Sequence, residues 1–188
     1  MIPTLRQLLR PCHLKAAAHN SGGRSTSSIR HIVLHDTEGG TAESVAAMFA
    51  SPKATASTQI VVDENECYRM VPDKVIPWGA PGVNTTGLHI EQCGFASWTR
   101  QQWLLHEVTL RRSAAKAARW AHMYDIPLRW VGPAGLLVRR KGVTTHRDAS
   151  IAFRIFGGHT DPGPSFPKDK WMQWAHEYLA EIEQGKEV

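Results

Sequence analysis

The clearest periodic signal begins at Ile29. Ile29-Arg-His-Ile-Val-Leu-His35 is short, β-branched and apolar, and it reads as a core strand that Asp36-Thr-Glu-Gly-Gly40 breaks. Thr41 then offers an N-cap, with Val45, Met48 and Phe49 spaced to form the buried face of a helix. Ser57-Thr-Gln-Ile-Val-Val-Asp63 alternates like a strand, Asp63 to Glu66 reads as a turn, and Cys67-Tyr-Arg-Met-Val71 pairs back as a hairpin. Gly87-Leu-His-Ile-Glu91 is a third strand candidate.

The second half is more helical. Thr99-Arg-Gln-Gln102 fits a capping box, and Leu105, Val108, Ala115, Ala118 and Trp120 mark one long helix reaching about Tyr124 before Pro127 ends it. Gly142-Val-Thr-Thr is another short β-branched run, and a last helix spans about Lys168 to Glu183. Strands interspersed with helices predict an α/β domain, a central mixed β-sheet flanked by α-helices. Residues 1–28 end in the Gly/Ser-rich stretch Asn20-Ser-Gly-Gly-Arg-Ser-Thr-Ser-Ser28. They read as a flexible N-terminal arm or linker, with the folded unit over 29–188.

Composition narrows this little. The 188 residues suit one domain with a core of its own, and no apolar run reaches the ~18–20 residues of a membrane span. The first residues lack the uninterrupted apolar block of an export signal, so synthesis in the cytoplasm without a signal peptide is expected. Cys12, Cys67 and Cys93 are an odd set without CxxC spacing and read as reduced thiols. The net charge of +5 points to a polyanionic partner without choosing one, and no nucleic-acid motif is present.

Ten histidines invite a metal hypothesis. His13 and His19 fall in the arm, and His106, His122 and His176 fit surface or packing positions in helices. His31 lies four residues before His35, a rise of ~13 Å on a strand, so the two cannot share one ion. His35, His89, His146 and His159 remain. His35 ends a buried strand, a usual place for a site. His146 follows the run at 142–145, and Asp161 precedes Pro-Gly-Pro, a pinned carboxylate that is either a ligand or a turn former. Two histidines and one carboxylate leave zinc an open fourth position, the arrangement of a catalytic site. Amide hydrolysis also needs a base and an oxyanion donor, for which Glu91 and His159 are the candidates. His89, two residues from Glu91 on one strand face, either tunes that glutamate or is a satisfied polar neighbour.

These fragments in order, Ile-Val-Leu-His35-Asp-Thr, Leu-His-Ile-Glu91, Thr-His146-Arg-Asp and His159-Thr-Asp161-Pro-Gly-Pro, resemble the type 2 N-acetylmuramoyl-L-alanine amidase family, whose fold peptidoglycan recognition proteins share. The likeness spans about residues 29–180 and looks nearest to amidase domains of actinobacteriophage endolysins. It implies zinc held by His35, His146 and Asp161, and Glu91 as the catalytic glutamate. It also implies a substrate groove at Trp78, Ala80 and Asn84, to which Thr37 is added. Two positions depart from the family pattern. His159 stands where a lysine is frequent, and the loop after Trp78 lacks a histidine that many relatives carry.

The resemblance implies a zinc hydrolase of the bacterial cell wall, with peptidoglycan as partner, no nucleic acid, and a monomer. A phage or prophage endolysin released through a holin is the expected setting. A non-catalytic peptidoglycan-binding module and a zinc peptidase cutting within the stem peptide are the alternatives, although the HExxH helix of common metalloproteases is absent.

Overall fold

In the computed structural model, which describes residues 2–155 and 158–186, a six-stranded sheet carries helices on both faces. The strands are β1 (His13–Leu14), β2 (His31–Asp36), β3 (Ile60–Val62), β4 (Cys67–Arg69), β5 (Gly87–Gln92) and β6 (Gly142–Thr145). The helices are α1 (Leu5–Leu8), α2 (Ala42–Ala50), α3 (Arg100–Leu105), α4 (Glu107–Tyr124), α5 (Pro133–Leu137), α6 (His146–Ala152) and α7 (Lys168–Glu183). The sheet order is β1-β4-β3-β5-β2-β6, with β3, β5, β2 and β6 parallel and β4 antiparallel to β3. The expected mixed sheet is therefore present. None of the described helices is long and apolar enough to cross a membrane.

Period-two alternation decides what faces where. Ile32 and Leu34 of β2, Leu88 and Ile90 of β5, and Ile60 and Val62 of β3 all join the main core with α4 and α7. The opposite face carries Val33 and His35, His89 and Glu91, and Val61, so the polar candidates share one side of the sheet. Four alanines of α4 (Ala114, Ala115, Ala117 and Ala118) have no exposed surface, letting the helix pack closely on its neighbours, above all α7. A buried hydrogen-bond chain crosses that layer toward the site. Trp171 Nε1 donates to Ser113 Oγ (2.7 Å), Ser113 to Gln92 Oε1 (2.6 Å), and Gln92 Nε2 to the His35 carbonyl (3.1 Å).

Three local expectations need correction. Residues before 29 are not a free arm. Leu5, Leu8 and Leu9 enter the main core, and β1 pairs in parallel with β4. That register sets His13 opposite Tyr68, which brings Cys12 level with Cys67, and the two form a disulfide while Cys93 stays free and buried. Pairing in space, invisible to spacing along the chain, overrides the reduced-thiol expectation. The long helix is also broken, because His106 leaves helical geometry (φ −100°, ψ 39°), stacks on Trp98 and bonds Glu64. Leu105 consequently points to solvent, as does Met48 of α2. The cap at Thr99, the ending near Tyr124 and the α7 span agree with expectation. Helices α5 and α6 were not anticipated, being only 5 and 7 residues long.

Candidate metal centre and active site

Parallel strands end together, and here they end at the site. His35 pairs with Glu91 in the β2–β5 register, and Leu34 pairs with Thr145, so His146 follows level with His35. Thr145 closes β6 and also caps α6, its hydroxyl accepting from the Asp148 N–H, which makes His146 the first residue of that helix. Asp161 comes from the loop before α7. Its carbonyl accepts from Arg147 N–H (3.1 Å), and Gly163 N–H closes the turn onto Thr160 (2.9 Å). Gly163 has φ +89° and backs onto Ala96, where a Cβ would meet the carbonyl oxygen at 2.0 Å. Only glycine fits, and the turn that holds Asp161 depends on it.

The three side chains converge. His35 Nδ1 lies 3.1 Å from His146 Nδ1 and 3.0 Å from Asp161 Oδ2, and His146 Nδ1 lies 3.2 Å from Asp161 Oδ1. Ligands on a tetrahedral zinc at ~2.0–2.1 Å stand ~3.3 Å apart, close to these separations. A single shared proton can serve one pair among the three, whereas a cation serves all of them. Burial opposes ionisation of Asp161, but the adjoining His146 and His35 outweigh it and hold the carboxyl well below the usual range. Burial lowers the His146 pKa, partly offset by Asp161. An ionised carboxylate beside a neutral imidazole is the protonation state that metal ligation requires. The residues fit zinc.

Around this centre opens a cleft of about 340 Å³ that includes Thr37, Glu38, Gly79, Glu91 and His159 among its walls. Glu91 Oε1 is 3.8 Å from His35 Nδ1. Burial raises the Glu91 pKa well above the ordinary carboxylate value, and the Asp161 and Asp36 charges add to it. Asp36, which the sequence reading did not single out, is pushed up to about 7 by burial against a backbone hydrogen bond from Glu38. His159 is mostly exposed. Its ring stacks on His146 (centroids 3.9 Å apart) and its Nδ1 is 3.5 Å from Asp161 Oδ1. Burial, then His146, lowers its pKa.

The expected groove residues divide. Trp78 is exposed and precedes Gly79 of the cleft wall without itself lining the cleft; its Nε1 donates to Ser21 and its ring stacks on His19. His19 and Ser21 of the supposed arm therefore hold Trp78 in place. Ala80 is fully buried with Val33 and Val83, and so offers no surface to a ligand. Asn84 Oδ1 accepts from the Gly79 and Ala80 N–H groups (3.0 and 2.6 Å), which braces the loop. Thr37 lines the cleft, with its hydroxyl donating to the Gly39 carbonyl. His89 shares the face of β5 with Glu91 but makes no hydrogen bond to it. It meets His35 instead, a contact that matching parity on two paired strands could have suggested.

Residues 25–164 match the family described as N-acetylmuramoyl-L-alanine amidase. The chain belongs to that family. It is accordingly an enzyme of the amidase type, with a peptidoglycan substrate. Among solved structures, the Staphylococcus aureus hydrolase AmiA in complex with its ligand is similar at TM-score 0.73 and 16% identity, covering 99% of this chain and 87% of that one. AmpD, as a selenomethionine derivative, is similar at TM-score 0.62 and 16% identity, with 93% and 99% covered. A mutant endolysin from Bacillus subtilis gives TM-score 0.59 and 17% identity, with 89% and 98% covered. At these identities the likeness speaks for the fold. No curated protein sequence matches the chain.

Proposed function

We propose that this amidase is zinc-dependent, cuts the bond between N-acetylmuramic acid and L-alanine, and degrades the bacterial cell wall as an endolysin. The observation that carries the metal is the convergence of His35 Nδ1, His146 Nδ1 and the Asp161 carboxylate within 3.0–3.2 Å at the floor of an open cleft. The endolysin role rests on likeness to proteins such as the Bacillus subtilis endolysin.

His35, His146 and Asp161 would hold the ion. Zinc, when bound, polarises the scissile carbonyl and acidifies the attacking water. Glu91 stands beside that centre on the floor of the cleft, and its raised proton affinity suits a group that takes a proton and returns it to the leaving amine. His159, stacked over His146 at the mouth, is placed to donate to the developing oxyanion. Thr37 and Gly79 border the space into which the lactyl–peptide strand would lie, and the exposed Trp78 precedes Gly79 in the chain. The +5 net charge draws the protein to an anionic wall, an attraction that salt screens.

Digestion of purified peptidoglycan with and without chelator, read by mass spectrometry, tests this. Zinc-restored release of stem peptides with a free L-alanine amine is expected. Cuts inside the stem peptide would mean a peptidase, binding without cleavage would mean a recognition module, and chelator-resistant release would remove the metal.

A further inference from the structure

His89 has no exposed surface and sits between the equally buried Leu88 and Ile90. Its backbone is pinned on both sides, the N–H donating to Gln59 Oε1 (2.7 Å) and the carbonyl accepting from Thr58 Oγ1 (3.0 Å). The ring occupies a slot that two glycines leave open. A Cβ on Gly79 would fall 2.4 Å from its Nδ1, and a Cβ on Gly87 would fall 2.6 Å from its Nε2. Within that slot Nδ1 lies 2.9 Å from His35 Nε2, while Nε2 has no hydrogen-bond partner among the described residues. A buried polar atom left unpaired is a cost that a leucine of similar size would avoid. What the imidazole provides in return is its Nδ1 contact with His35.

The proton count gives that contact a direction. His35 turns Nδ1 toward His146 and Asp161 and Nε2 toward His89. A neutral imidazole can offer its Nδ1 lone pair to a metal only when its proton is on Nε2. His89 Nδ1 must then be the acceptor, with its own proton on the unpartnered Nε2. The reverse assignment, with His89 Nδ1–H donating, would put the His35 proton on Nδ1 and block that ligand. His146 lacks such support, since its Nε2 has no partner among the described residues.

We propose that His89 is a positioning residue for the metal centre, accepting the His35 Nε2–H and so fixing the tautomer and ring orientation in which His35 Nδ1 is a ligand. This rests on the zinc reading above. Outer partners of ligating histidines typically govern affinity by ~10–100-fold.

Two substitutions in the full chain separate this role from packing. His89→Asn keeps an acceptor near the Nδ1 position, and His89→Leu removes it at similar size. Zinc affinity from competition against a chromophoric chelator is expected to fall ~10–100-fold in H89L and to recover most of that loss in H89N. Both variants should melt as cooperatively as the parent without metal. Equal affinity in H89L and the parent, or an equal fall in both variants, would overturn the proposal. Nitrogen-15 spectra of the zinc-loaded parent provide a reading that needs no variant. The His35 proton is expected on Nε2, coupled across the hydrogen bond to His89 Nδ1, and a proton found on His89 Nδ1 would overturn it. A parent protein that binds no zinc would instead defeat the metal reading itself.

Discussion

Strand β2 carries a buried histidine at each end, and the two ends have opposite chemistry. At the start, His31 Nε2 lies 3.1 Å from the Arg140 carbonyl and Nδ1 lies 2.9 Å from Thr86 Oγ1. A carbonyl only accepts, so Nε2 donates, and in the neutral ring Nδ1 accepts from the hydroxyl. Every polar atom of that ring is served. At the other end, His35 faces two imidazoles and a carboxylate, a group that ordinary hydrogen bonds cannot fully satisfy. Burial is alike, at 3% and 1% exposure, so burial does not tell a structural histidine from a functional one. The partners do. A satisfied ring is part of the packing, and an oversupply of acceptors calls for a cation.

The largest effect expected from this contrast comes from truncating each ring in turn. His35→Ala should lose stoichiometric zinc by metal analysis and reduce peptidoglycan hydrolysis by on the order of 10³-fold or more. His31→Gln, which keeps a donor for the Arg140 carbonyl, should leave both within about twofold. Zinc retained in H35A, or lost in H31Q, would break the distinction drawn between the two ends. A sharper cut lies within the site. Glu91→Gln should retain zinc at parental stoichiometry while turnover falls by roughly 10²–10⁴-fold, because Glu91 stands beside the metal position without belonging to the ligand set. Near-parental turnover would show that the base is another group.

The sequence made one end of β2 legible and hid what surrounds it. The four-residue separation of His31 and His35 excluded a shared ion, and the strand-end position of His35 singled it out. His146 and Asp161, brought together over 126 residues of chain from His35, were readable only through the ordered set of fragments. Contacts set by three-dimensional pairing stayed hidden. The β1–β4 register joins Cys12 to Cys67, and the Gly79 and Gly87 slot turns His89 toward His35. Apolar patterning also misled where a polar contact outweighed it. His106 breaks the α3–α4 helix by stacking on Trp98, and the predicted core position Leu105 turns outward. Residues 1–28 read as a linker because Gly and Ser dominate their end, yet Leu5, Leu8 and Leu9 seat them in the core.

The smallest effect concerns stability alone, and it probes the satisfied end. Burial lowers the His31 pKa from 6.5 to about 4, with the Arg140 hydrogen bond only partly opposing it. The unfolded chain therefore takes up a proton at this residue near pH 6.5, whereas the folded chain resists until about pH 4. Between those values the unfolded state binds more protons, so stability must fall as pH falls. Its contribution is intact above pH 6.5 and lost by about pH 4, with the slope flattening below. Burial lowers His89 and His146 in the same direction, and His31→Gln isolates this one by difference. From pH 7 to pH 5, urea unfolding of the metal-free parent should lose on the order of 2 kcal/mol more than H31Q loses. The gap arises because glutamine takes up no proton in either state. Parallel curves for the two proteins would mean that His31 is protonated as easily inside as out. The donor at Nδ1 would then be the ring itself, and Thr86 its acceptor, so the contrast between the two ends of the strand would rest on the metal site alone.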